Sequence, residues 1–106
     1  MRIKSFKENL FHKNPKKLKL IQFWSTWCGV CLDTKHLEIF SRKRPSIEVF
    51  RLNVDEHHSY TTKYSIVVLP TYVFFKNLKP ILFLIGEQKS ESLFKALNSK
   101  LAKPPN

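Results

Sequence analysis

A chain of 106 residues, 42% of them apolar, is long enough for one core covered on both faces and too short for two domains. Its formal net charge of +11 favours acidic partners, and no apolar run approaches the ~20 residues that a membrane span needs. The basic start, MRIKSFKENLFHKNPKKLKL, holds no apolar signal segment, which makes a cytoplasmic address the default. A first helix is expected over Ser5 to His12. Leu18 to Trp24 (LKLIQFW) is a short apolar run that fits a buried central strand. Cys31 to Lys43 lacks Gly and Pro and carries an imperfect helical stripe of Leu32, Leu37, Ile39 and Phe40, with Pro45 to stop it. Ile47 to Val54 alternates as a strand, and Ser59 to Lys63 gives a weak signal for a short helix. Thr71 to Lys76 and Pro80 to Ile85 flank Asn77-Leu78-Lys79 as an antiparallel hairpin. Ser90 to Leu101 is the clearest amphipathic helix, with Ser90 as its N-cap and Pro104-Pro105 barring its continuation.

The basic residues gather at Lys13, Lys16, Lys17 and Lys19 and again at Arg42-Lys43-Arg44, and they read as solvated surface. Lysine outnumbers arginine, which leaves few candidates for bidentate guanine contacts, so nucleic acid is a weak prospect.

Both cysteines and both tryptophans fall in one stretch, FWSTWCGVC, from Phe23 to Cys31. Two close cysteines do not make a secreted disulfide scaffold, and the spacing reads as redox-active or metal-binding. A zinc site would need two more ligands. His57-His58 are the one adjacent pair, poorly placed to reach a single tetrahedral ion and read as exposed loop residues, so no metal is expected. Buried structural thiols fit badly beside Gly29 and the loop-like Ser25-Thr26. The position at a strand-to-helix junction favours chemistry: free N–H groups at a helix start stabilise a thiolate. Cys28, at the outer end, would attack a substrate disulfide, and Cys31, deeper, would resolve the mixed disulfide. Gly29 would relax the turn enough for the pair to close, Trp27 would form an apolar lip, and Trp24 would pack below.

These residues resemble the active-site segment FWAxWCGPC of the thioredoxin family. Asn53-Val54-Asp55, Leu69-Pro70-Thr71, Phe75-Lys76-Asn77 and Gly86 are similar to that family's NVD segment, (I/V)PT loop, FKNG hairpin and strand-ending glycine. The resemblance implies a thioredoxin fold over residues 1–106, three α/β/α layers around a mixed sheet of four to five strands, with 103–106 as a flexible tail. It also implies a monomeric thiol–disulfide oxidoreductase that reduces protein disulfides, and the net charge adds acidic substrates to that expectation. No cofactor would be bound beyond the redox-active Cys28–Cys31 disulfide; electrons would come from NADPH through a partner reductase. Pro70 would be a cis proline facing the cysteines, and a substrate strand would pair with the backbone of Leu69 beside Thr71.

Four departures from the family pattern stand out. Val30 replaces the proline between the cysteines, and a less reducing pair is expected. Gln22 replaces a buried aspartate, which predicts slower resolution, and leaves Arg51, in the place of the family's lysine, without its carboxylate and expected to reach outward. His36 replaces a helix proline and reads as a surface histidine on an unkinked helix. Leu78 replaces the hairpin glycine and is expected to change the turn type. The rival reading is a basic thioredoxin-like adaptor whose redox activity is incidental.

Overall fold

The computed structural model describes residues 3–102, so the expected tail at 103–106, with Pro104-Pro105, lies outside the described residues. Strand β1 (Ile3–Ser5) and helix α1 (Glu8–His12) lead into β2 (Lys19–Trp24), and a 3-10 turn at Gly29–Cys31 follows. Then come α2 (Lys35–Lys43), β3 (Glu48–Asn53), α3 (His58–Lys63), β4 (Thr71–Lys76), β5 (Lys79–Ile85) and α4 (Ser90–Leu101). The sheet order is β1-β3-β2-β4-β5, with β1, β3 and β2 mutually parallel and β4 and β5 antiparallel additions.

The alternation of β2, β3 and β4 divides the core in two. Ile21, Phe23, Phe50, Leu52, Val73 and Phe75 point to one face, where Phe11 of α1, Tyr60 of α3 and Tyr64 just after it cover them. Leu20, Val49, Tyr72 and Phe74 point to the other, beneath Leu37 and Phe40 of α2 and Leu93 and Leu97 of α4. Each fully buried Leu, Ile or Phe stabilises the fold by roughly 1.5–3 kcal/mol relative to exposure, so these two layers supply most of the driving force. This is the three-layer arrangement expected, with five strands.

Several local expectations need correction. Ile3–Ser5 is not the lead-in to a helix over 5–12 but a short edge strand, held by parallel pairing of Ile3, Lys4 and Ser5 with Val49, Phe50 and Arg51. Backbone bonding to a formed neighbour decides it, not side-chain pattern. The helix expected from Cys31 is interrupted: α2 begins at Lys35, whose N–H donates to Asp33 Oδ1, a local competitor for the backbone. Ser90 is the first residue of α4, Lys89 occupies the N-cap, and no side chain caps that end. Leu78 does not change the turn: Asn77 and Leu78 stand at φ 53° and 63°, the type I′ combination that asparagine–glycine suits. Leucine bears the strain of that conformation while packing against the first core layer. Lys19 is not solvated surface; it is fully buried, donating to the Lys13 carbonyl at 3.0 Å and pairing with Glu48.

Candidate active site

β2 ends at Trp24, and the chain turns through Ser25, Thr26 and Trp27 into the 3-10 turn that carries the cysteines. Such a turn has three residues per revolution, so positions 28 and 31 eclipse, closer than in an α-helix. Cys28 and Cys31 form a disulfide with their Cα atoms 5.3 Å apart. The turn does not depend on Gly29 for room or backbone freedom, since a Cβ built there meets nothing within 4 Å. Nor does an α-helix start beneath Cys28; α2 opens seven residues later, so its first-turn N–H groups are not the ones beside this sulfur.

Exposure separates the two sulfur-bearing residues. Cys28 keeps 9% of its surface while Cys31 keeps none. Trp27 is 70% exposed beside Cys28 and donates from Nε1 to Asp55 Oδ2 at 3.2 Å, a contact that the sequence reading did not foresee. Val30 is exposed as well. Ser25, expected in an open loop, is instead fully buried, and its Oγ has no hydrogen-bond partner among the described residues. The Leu69–Pro70 bond is cis, and the Pro70 carbonyl accepts from Gly86 N–H at 2.8 Å. Gly86 sits at φ 91°, a conformation that requires glycine. Thr71 opens β4 buried, its hydroxyl donating to the Val68 carbonyl at 2.5 Å. His57 is not an exposed loop residue: its ring meets Phe6 edge-on at 5.0 Å. Among the described residues, no three His, Cys, Asp or Glu side chains gather as a metal site.

Beneath the cysteines the strand register brings three polar residues side by side. Gln22 pairs with Arg51 of β3 and with Tyr72 of β4, so all three point to the α2 face. Arg51 does not reach outward. Its Nε donates to Gln22 Oε1 at 2.7 Å, its Nη2 donates to the Cys31 carbonyl at 2.6 Å, and its guanidinium lies 4.0 Å from the Trp24 ring centre. Neutral acceptors and an aromatic face thus satisfy a planar cation without a carboxylate. Gln22 Nε2 donates to Tyr72 Oη at 3.1 Å, and Tyr72 Oη lies 2.5 Å from His36 Nε2. His36 is therefore half-buried in α2 and bonded, not the surface histidine expected. Burial holds its imidazole below the ordinary value, with Arg51 adding to that effect and Asp33 and Glu87 opposing it. Burial likewise raises the Tyr72 phenol. Tyr72 was missed at the sequence level; the one available signal was its place, two residues before Phe74, on an inward face where a hydroxyl demands a partner.

The model of one family, Thioredoxin, matches residues 1–99. The chain belongs to the thioredoxin family. A thioredoxin of Staphylococcus epidermidis is 33% identical over 86 residues, covering 79% of this chain and 83% of that protein. A Staphylococcus aureus thioredoxin is 31% identical over the same length. The crystal structure of Fasciola hepatica thioredoxin superposes with a TM-score of 0.79 at 26% identity, covering 94% of this chain and 99% of that one. The thioredoxin NaTrxh of Nicotiana alata, at 24% identity, shares the fold with a TM-score of 0.77 over 92% of this chain. With a paired Cys28–Cys31 in this fold, the protein is a thiol–disulfide oxidoreductase, and thioredoxin-family membership implies a reductase partner and disulfide substrates.

Proposed function

We propose that this thioredoxin-family protein reduces disulfides in other proteins and is recharged by a reductase that draws electrons from NADPH, in the cytoplasm. The observation that carries the reading is the unequal exposure of a bonded pair: Cys28 keeps a sliver of open surface beside the exposed Trp27, and Cys31 keeps none. In the reduced protein the Cys28 thiolate attacks one sulfur of a substrate disulfide; the substrate S–S bond breaks and its other sulfur leaves as a thiolate. The Cys31 thiolate then attacks Cys28 Sγ, the mixed disulfide breaks, and the second substrate thiolate departs, leaving Cys28–Cys31 oxidised. Two electrons have passed to the substrate. Leu69 lies just ahead of β4 and outside its pairing with β2 and β5, so its backbone is the edge for a substrate strand, beside Pro70 and Thr71. The charge of +11 supports a preference for acidic partners.

The test is a coupled assay with NADPH, a thioredoxin reductase and insulin, on wild type and Cys28→Ser. Turnover by wild type and none by Cys28→Ser is expected. A reducible Cys28–Cys31 bond with no turnover under any reductase, together with full in vivo rescue by Cys28→Ser, would favour the adaptor reading.

A further inference from the structure

The polar row beneath the cysteines runs in one direction. Arginine has only donors, so Arg51 Nε–H fixes Gln22 Oε1 toward itself and turns the amide nitrogen toward Tyr72. Tyr72 Oη then accepts from Gln22 and must send its own proton onward. Tyr72 is 1% exposed, and the group within reach of that proton is His36 Nε2. Only a neutral imidazole with its proton on Nδ1 can accept it. A protonated His36 would instead aim a second donor at the Tyr72 oxygen and strand the phenolic hydrogen in the core, at the cost of an unmade buried bond.

We propose that His36 is a positioning residue of the dithiol centre: as terminal acceptor of the row Arg51 to Gln22 to Tyr72 to His36, it holds the Arg51 guanidinium against the Cys31 carbonyl. The proposal deepens the oxidoreductase reading above and rests on it. A cation bonded to the resolving residue itself favours the Cys31 thiolate during its attack on Cys28. Loss of the acceptor lets Gln22 turn and Arg51 drift, and the resolving step slows. His36 meets Tyr72 of β4 and the charges of Asp33, Arg51 and Glu87, and it shares its groove with Lys35, with Lys89 ahead of α4 and with Glu91 in the first turn of α4. The row therefore weakens in mild acid, when His36 takes a proton, and the resolving step with it.

The experiment is stopped-flow reduction of a symmetric aromatic disulfide. It releases one coloured thiolate when Cys28 attacks and a second when Cys31 resolves. His36→Leu is expected to slow the second phase by about two- to tenfold at about pH 8, the worth of one net hydrogen bond. Tyr72→Phe, which keeps the ring in the core, should do the same, and the double variant should add nothing more. His36→Gln, whose amide oxygen accepts but does not titrate, should restore the second phase at about pH 8. The ratio of wild type to His36→Gln cancels the Cys31 titration that both proteins share; it is expected to fall across the range in which His36 takes its proton, which begins below the ordinary imidazole value. A His36→Leu or Tyr72→Phe second phase equal to wild type, or a flat ratio across that range, would overturn the proposal. Should His36→Leu fail to fold, Tyr72→Phe carries the same test. Absence of the first phase in wild type would instead remove the oxidoreductase reading, so the two failures are distinct.

Discussion

Two parts of the sheet draw a cation out of water, one fully and one in part, and they do it by opposite means. At the end away from the cysteines, Lys19 is fully enclosed and pairs with Glu48, which also meets Lys4 at 3.1 Å. Under the cysteines, Arg51 has no carboxylate partner among the described residues and rests on an amide oxygen, a backbone carbonyl and an indole face. The choice of cation follows from the partners. A compact ammonium needs a counter-charge once it leaves water, whereas a flat, weakly hydrated guanidinium can be shared among neutral acceptors. The first arrangement is neutralised and serves the fold; the second leaves positive charge beside the disulfide, where chemistry can use it.

Removing the carboxylate of the first arrangement gives the largest effect. Glu48→Ala strands Lys19 in the core and is expected to cost about 3–5 kcal/mol by urea unfolding. Adding Lys19→Met should return most of that loss, because an apolar pair of similar volume replaces an ion pair at little cost. A double variant no more stable than Glu48→Ala would show that the pair holds position as well as charge. The pH dependence has a definite sign. Burial alone would raise the Glu48 carboxyl, but the hydrogen bonds and charges of Lys19 and Lys4 outweigh it and hold the folded value below 4.5. Its stabilisation is therefore complete above the unfolded value and lost as pH falls through the folded one. Glu48→Gln should flatten that part of the acid unfolding curve.

The second arrangement can be made to resemble the first. Gln22→Glu places a carboxylate between Arg51 and Tyr72, so the phenol donates to it and His36 no longer has to accept. The His36 imidazole, now near an anion, should titrate higher than in wild type, read from its ring proton shifts by NMR. In wild type the opposite sign holds: with the folded value pushed below 6.5, stability is full above 6.5 and declines as pH falls toward the folded value. An unchanged His36 titration in Gln22→Glu would mean that the amide does not set the direction of the row.

How much of this was legible in the sequence depends on which contacts were local. Strand β2 declared itself as an apolar run, β3 by its spacing of apolar residues, β4 and β5 as the arms of a hairpin, and the cysteine pair by its spacing and its place after β2. Strand β1 did not, because three mostly exposed residues pair only through their backbone. Gln22, Arg51 and His36 each stood out singly, yet their arrangement depends on the register of three strands and the docking of α2. The outward reach assigned to Arg51 failed for that reason: its acceptors come from residues 22 and 31, and Trp24 from the same register supplies the aromatic face. Lys19 sat within a run of surface lysines and carried no mark of burial except its place at the head of a strand.

Between the cysteines, Val30 offers a smaller test of whether the row or the turn governs the redox balance. Val30→Pro stiffens the exposed turn, and equilibration with glutathione should show a more reducing pair by about 30 mV, which corresponds to about 1.4 kcal/mol for two electrons. An unchanged potential would assign the balance to Arg51 and its partners instead.

The smallest effect concerns a polar group that neither arrangement serves. Ser25 lies between β2 and the 3-10 turn with its hydroxyl fully enclosed and unpartnered among the described residues. A buried hydroxyl without a bond costs about 1–3 kcal/mol, and alanine at the same place would leave no more than a small void. Ser25→Ala should therefore stabilise the protein by about 1 kcal/mol, seen as a higher urea midpoint at unchanged slope. A lower midpoint would mean that the hydroxyl makes a bond worth more than its burial costs, and that the turn carrying Cys28 is tied to β2 through Ser25.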